Sequence, residues 1–207
     1  KQALAAVTTA HDNIAIGFQT MDAMEVGQDN VAIGRAAMGN ANHADADSNV
    51  VIGTYAGDGF GTNAVAGTVL IGREAGSEIQ HTNASGAVAI GQLALGDLTV
   101  GVGNTAVGYT AGKTLADGTN NTAIGYGAMD AVHTNSSSCV AVGRNAMGGG
   151  STGSESHYNT AVGDNAMAAQ MNGATGNTSL GKNSLAALTT GDSNIGIGLD
   201  AGDTITT

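Results

Sequence analysis

Three short stretches carry residue types whose spacing could do chemistry. Gly108, Gly112, Lys113 and Thr114 approximate a loop whose backbone N–H groups cradle phosphates while a lysine reaches the terminal ones. That loop is one residue too short, because Val107 stands where its first glycine belongs, and no helical pattern follows. Gly149, Ser151 and Gly153 match the spacing of a nucleophile elbow, yet they sit in a glycine-serine connector without the strand-turn-helix context that exposes a reactive serine. His43, Asp45 and Asp47 offer an imidazole and two carboxylates to a cation. All five histidines (His11, His43, His81, His133 and His157) lie in connectors, and no His-x-His pair or second His/Cys cluster backs them. Chance explains each stretch better than a site does. The expectation is no catalytic residue, no metal and no cofactor, so not an enzyme.

The elements behind these stretches explain why such strings arise. One phrase recurs eleven times, each copy ending in a glycine after an aliphatic residue: Gly17, Gly34, Gly53, Gly72, Gly91, Gly108, Gly125, Gly143, Gly163, Gly181 and Gly198. The spacing averages about 18 residues. Numbered from this glycine, position −1 is always Ile, Val or Leu and position −3 is always β-branched, with alanine between them in seven copies. Branched, small, branched is a period of two, which suits a pleated strand. Alanine fills +3 in nine copies and Met, Leu or Gly fills +4, read here as a second short strand after a bend. A helical repeat is excluded by the glycine and β-branched content. Coils stacked at about 4.8 Å give parallel ladders. The fold expected is all-β, a parallel β-solenoid of about eleven coils, with residues 1–12 as a lead-in and 13–207 as one repeat domain.

Asparagine stands at −4 in eight copies (Asn13, Asn30, Asn49, Asn104, Asn121, Asn159, Asn177 and Asn194), where its tolerance of left-handed backbone suits a corner and its amide can bond the next coil. Cys139 occupies the same column as a small substitute. Both faces of the strand are apolar, so one face needs a partner. The expectation is that the Ile/Val/Thr positions fill the coil and the alanine column packs on sister chains, giving a homotrimer. Position +1 holds Phe18, Arg35, Arg73, Tyr109, Tyr126, Arg144 and Lys182, four of the six basic residues and three of the six aromatics. Tyrosine and arginine dominate recognition hot spots, so this stripe is the receptor-facing candidate.

The Asn-Thr/Val-Ala-Ile/Val-Gly phrase, as at Asn104–Gly108, Asn121–Gly125 and Asn159–Gly163, resembles the head repeat of trimeric autotransporter adhesins. It is also similar to repeats of bacteriophage tail fibres. The resemblance implies a left-handed parallel β-roll assembled as a trimer and used for attachment to a host-surface glycan or protein. The longer connectors and the Asn-Thr start favour the tail-fibre side, hence an expected virion or cell-surface location. An adhesin head or a subunit of an extracellular filament is the alternative.

Composition agrees with a scaffold built by regularity. The 207 residues include 34 glycines, no proline, 3 % aromatics and 11 % charged residues, and the formal charge is −11. That charge repels phosphate backbones, which argues against nucleic acid as a partner. No run of 18 apolar residues is present to insert in a membrane. The chain begins at Lys1 without methionine and is expected to be a fragment or processed product.

Overall fold

The structure is a computed structural model in which residues 3–132, 134–150 and 153–207 are described. The chain winds as a parallel β-solenoid. Each of the eleven repeats contributes one three-residue strand at positions −3 to −1. These are β1 (Ile14–Ile16), β2 (Val31–Ile33), β3 (Val50–Ile52), β4 (Val69–Ile71), β5 (Val88–Ile90), β6 (Thr105–Val107), β7 (Thr122–Ile124), β8 (Val140–Val142), β9 (Thr160–Val162), β10 (Thr178–Leu180) and β11 (Ile195–Ile197). They form a single sheet in sequence order, every neighbouring pair parallel and in register, column on column. Ten spacings of about 4.8 Å give a sheet roughly 48 Å long.

The glycine that ends each strand adopts φ between +118° and +142°. Its hydrogen side lies flat on the glycine of the next coil: a Cβ added to Gly72 would come within 2.5 Å of both the carbonyl carbon and oxygen of Gly91. Only the residue without a side chain lets the coils close to sheet spacing here.

The segment after the glycine, expected as a second strand, is a turn instead. Positions +2 and +4 are left-handed in every coil, as at Gln19 (φ +58°) and Met21 (φ +48°), which breaks the pleat a strand needs. Coil-to-coil hydrogen bonding continues regardless, because +2 donates to the preceding coil (Tyr55 N to Arg35 O, 3.0 Å) and +4 to the following one (Met38 N to Ala56 O, 3.0 Å). Residues 3–12, read from the sequence as a lead-in, wind in the same register. Leu4 is left-handed (φ +52°) and donates to Thr20 O, as Met21 donates to Ala37 O.

The strand faces are the reverse of the expectation. The middle residue (Ala32, Val51, Leu70, Ala89, Ala106, Ala123, Ala141, Ala161) is buried inside the coil, and the branched residues on either side point outward and are half-buried at best. The coil is too narrow for two branched columns. Its interior is already filled by +3 alanines, the +4 Met/Leu column and a third column at +7 that includes Met24, Phe60, Ile79, Leu98, Leu115 and Leu188. Volumes trade between columns. Where Leu70 replaces the inner alanine, +4 is Gly76, and a Cβ there would meet Leu70 Cδ2 at 2.9 Å. Such close exchange is what a densely packed interior demands. Polar substitutes in the −2 and +3 columns are bonded: Thr20 Oγ1 donates to Gly34 O, Ser184 Oγ to Gly196 O and Ser179 Oγ to Ser184 O.

The asparagines form a ladder at the corner entering the strand. Asn30 donates its backbone N–H and Nδ2 to Asn13 Oδ1 (3.0 and 3.1 Å), and its Nδ2 also donates to Ala46 O in the next coil (2.7 Å). Asn49 repeats this on Asn30, Asn121 on Asn104, Asn177 on Asn159 and Asn194 on Asn177. Each buried amide therefore satisfies backbone groups that no strand partner reaches. At Cys139 the ladder is only half made. Its N–H donates to Asn121 Oδ1, and its thiol makes a weak bond to Ser156 O (3.4 Å), the acceptor an asparagine Nδ2 would use. Burial raises the thiol above its ordinary pKa, with the Asn159 backbone and side-chain amides offsetting part of that rise. Replacing the weak sulfur contacts with amide bonds should stabilise the fold. We expect Cys139→Asn to gain about 1 kcal/mol, read as a higher urea midpoint at unchanged slope.

Candidate functional site

Two surfaces stand out once the coil is built, and both lie on the outer side of the sheet. The first is the apolar face. Positions −3 and −1 project two parallel columns along its whole length: Val31, Val50, Val69 and Val88 with Ile33, Ile52, Ile71 and Ile90 in one half, and Thr105, Thr122, Thr160 and Thr178 beside Val107, Ile124, Val162 and Leu180 in the other. At the ends the columns are most open, Ile195 being 73 % and Ile14 52 % exposed. The −1 column is aliphatic along the whole sheet and the −3 column over its first half, a strip that exceeds the scattered apolar residues of ordinary surfaces.

The second surface is the +1 column, which borders this face directly. Phe18, Arg35, Arg73, Tyr109, Tyr126, Arg144 and Lys182 are all exposed. Most are turned toward neighbours within the chain. Tyr109 and Tyr126 stack on each other with ring centroids 5.2 Å apart and planes 15° off parallel. Arg35 lies over the Tyr55 ring at 5.3 Å. Arg73 bonds Glu74, and Arg144 bonds Asp164 across one coil. Each tyrosine of this pair spends one ring face on the other, so this part of the column is a stacked ladder on the edge of the sheet.

A third column, at −5, borders the face on its other edge, and the sequence reading passed over it. It is left-handed throughout and exposed at all but Ser138, and it includes Asp12, Asp29, Asn120, Tyr158 and Ser193. Its signal was present as turn chemistry before each asparagine, since Asp, Ser, Gly and Asn tolerate that backbone.

The stretches with apparent chemistry are absorbed by the coil. Gly108 is a repeat glycine and Thr114 Oγ1 donates to Val132 O. His43 Nδ1 accepts from Asp45 N (3.0 Å), and Asp47 Oδ1 accepts from Gln28 N (2.7 Å). Among the described residues no group of three His, Cys, Asp or Glu is placed to hold a metal ion. Ser151, Thr152 and His133 lie outside the described residues. Shallow polar depressions among the described residues include one of about 280 Å³, lined by residues including Asp22, Asn40, Tyr55 and Asp58, and one of about 250 Å³, lined by residues including His11, Gln28, Asp45 and Asp47. Burial, and secondarily the nearby Glu78 charge, pushes the Asp58 carboxyl above its ordinary range; burial does the same to Asp130, partly countered by backbone bonding, Lys113 and Thr110. No helix is long and apolar enough to cross a membrane, among the described residues. Compared with protein families, curated proteins and solved structures, the chain matches none.

Proposed function

We propose that the chain is a structural segment of a homotrimeric attachment fibre, of the kind found in phage tail fibres or comparable surface fibres, wound as a left-handed roll. The observation that carries this reading is the aliphatic strip on the outer side of the sheet. Parallel sheets are normally covered on both faces, and here the coil covers only the inner one. With its flanking columns the strip spans about seven residues, or roughly 20 Å, by roughly 48 Å. That is on the order of 1,000 Å² per chain, above the roughly 800 Å² per partner typical of stable interfaces. Chains of this one sequence present the strip identically, so three of them can bury it around a common axis. The assembled rod would hold three equivalent surfaces toward a host glycan or protein, and multivalency would raise the strength of a weak contact without new chemistry.

Sedimentation equilibrium tests the reading. A chain of 20.1 kDa should sediment as a species of about 60 kDa at micromolar concentration. A persistent 20 kDa species with an intact β spectrum would refute the proposal, since the strip would then be stable in water.

A further inference from the structure

In one coil, that of Arg35 and Asp29, the two columns that border the apolar strip carry opposite charges at the same level. We infer that Arg35 of one copy pairs with Asp29 of the next, so that the basic column is the seam of the self-association and not a receptor surface. This rests on the proposed assembly and specifies its contacts.

Arg35 and Asp29 belong to the same coil, at +1 and −5, on opposite edges of the strip. Both are exposed. Among the described residues Asp29 has no side-chain hydrogen-bond or ion-pair partner, and Arg35 rests on the Tyr55 ring. They cannot reach one another in one molecule, because the strand and its outward side chains lie between them. Three-residue strands leave the strip narrow, so copies packed around a shared axis meet one another at its borders.

The relative direction of the copies decides which borders meet. If two copies run with their long axes parallel, rotation about that axis lays the +1 border of one against the −5 border of the other, coil for coil. Arg35 then faces Asp29. Six to seven coils further on, roughly 30 Å, the Arg144–Asp164 pair faces Tyr158, which is 67 % exposed on the opposite border. Both matches hold at zero stagger. If the copies run antiparallel, +1 borders meet each other with coil order reversed. Arg35 then approaches Lys182, and Arg73 approaches Arg144. Like charges at a shared edge are costly and steer against that arrangement. The borders therefore select direction and register, while the strip supplies the attraction.

The test is a charge reversal followed by sedimentation at low salt. Arg35→Glu and Asp29→Lys singly should each raise the concentration of half-dissociation by about tenfold, because each sets like charges across every seam. The double reversal should return it to within about threefold of the parent. Both sites are exposed, so the circular dichroism spectrum should not change in any variant. Singles that associate like the parent, or a double that is weaker than either single, would overturn the seam while leaving the trimer intact. A parent chain that never associates would overturn the assembly and the seam together.

Discussion

Gly72→Ala should abolish folding of the solenoid or cost it at least about 4 kcal/mol, whereas Gly198→Ala should cost on the order of 1 kcal/mol. Both glycines hold the same unusual backbone, φ +138° and +118°, so alanine meets comparable torsional strain at each. They differ in what lies above them. At Gly72 a methyl group would stand 2.5 Å from the Gly91 carbonyl, and that obstacle is backbone locked into the ladder on both sides. Relief requires parting two coils, which breaks the Gly91 N to Ile71 O bond and opens the Leu70 and Ile79 packing beneath. At Gly198, in the last coil, nothing lies within 4 Å of the added methyl group. Urea melts of the two variants separate steric exclusion from strain. Equal losses at both sites would mean that the column is conserved within the chain for its torsion angle alone.

The same contrast explains what was legible in the sequence. Repetition located one strand in each coil, because Gly17 through Gly181 mark a backbone contact that only glycine permits and each of those strands must end there. The asparagine corners were legible for a similar reason: the amide at Asn30 or Asn121 has one geometry in which it can serve the coils on both sides. Which face of the strand turns inward was not legible from alternation. A period of two separates Ala32 from Val31 and Ile33 without saying which side is the core. The information lay in distant columns. Leu70 is paired with Gly76 at +4, and Ala141 with Met147, an exchange of volume that makes sense only if −2 and +4 share one interior. The turn after the glycine was misread as a strand because its +2 and +4 residues, among them Leu93 and Met129, give no compositional hint of their left-handed backbone. Coil-to-coil hydrogen bonds hold those residues there against local preference. The borders of the strip were only half visible: Arg35 and Tyr109 declare themselves by type, but Asp29 acquires meaning only when the sheet places it level with Arg35.

Paired lysines on the strip should convert the proposed trimer to monomers without unfolding the chain. Ile52→Lys with Ile90→Lys places two charges at −1, two coils apart and so about 10 Å from each other. Each side chain is outward and half-buried in the single chain, so the lysine ammonium can stay in water when the chain is alone. In the trimer the same positions would be covered, and an unpaired buried charge is costlier than the roughly 1.5–3 kcal/mol lost with each isoleucine. Three copies carry six such substitutions, enough to shift association by more than a thousandfold at micromolar concentration. Sedimentation should then report a species near 20.1 kDa with the parent circular dichroism spectrum. Replacing the same residues with threonine is the control. Threonine already stands on this face at Thr105 and Thr122, each half-buried. That double variant should weaken association far less than the lysine pair, because it removes aliphatic area without stranding a charge. If lysine and threonine variants both remain trimeric, the strip is not what joins the chains. If both unfold, the outward columns stabilise the coil itself, and the division between an inner core and an outer contact face is wrong.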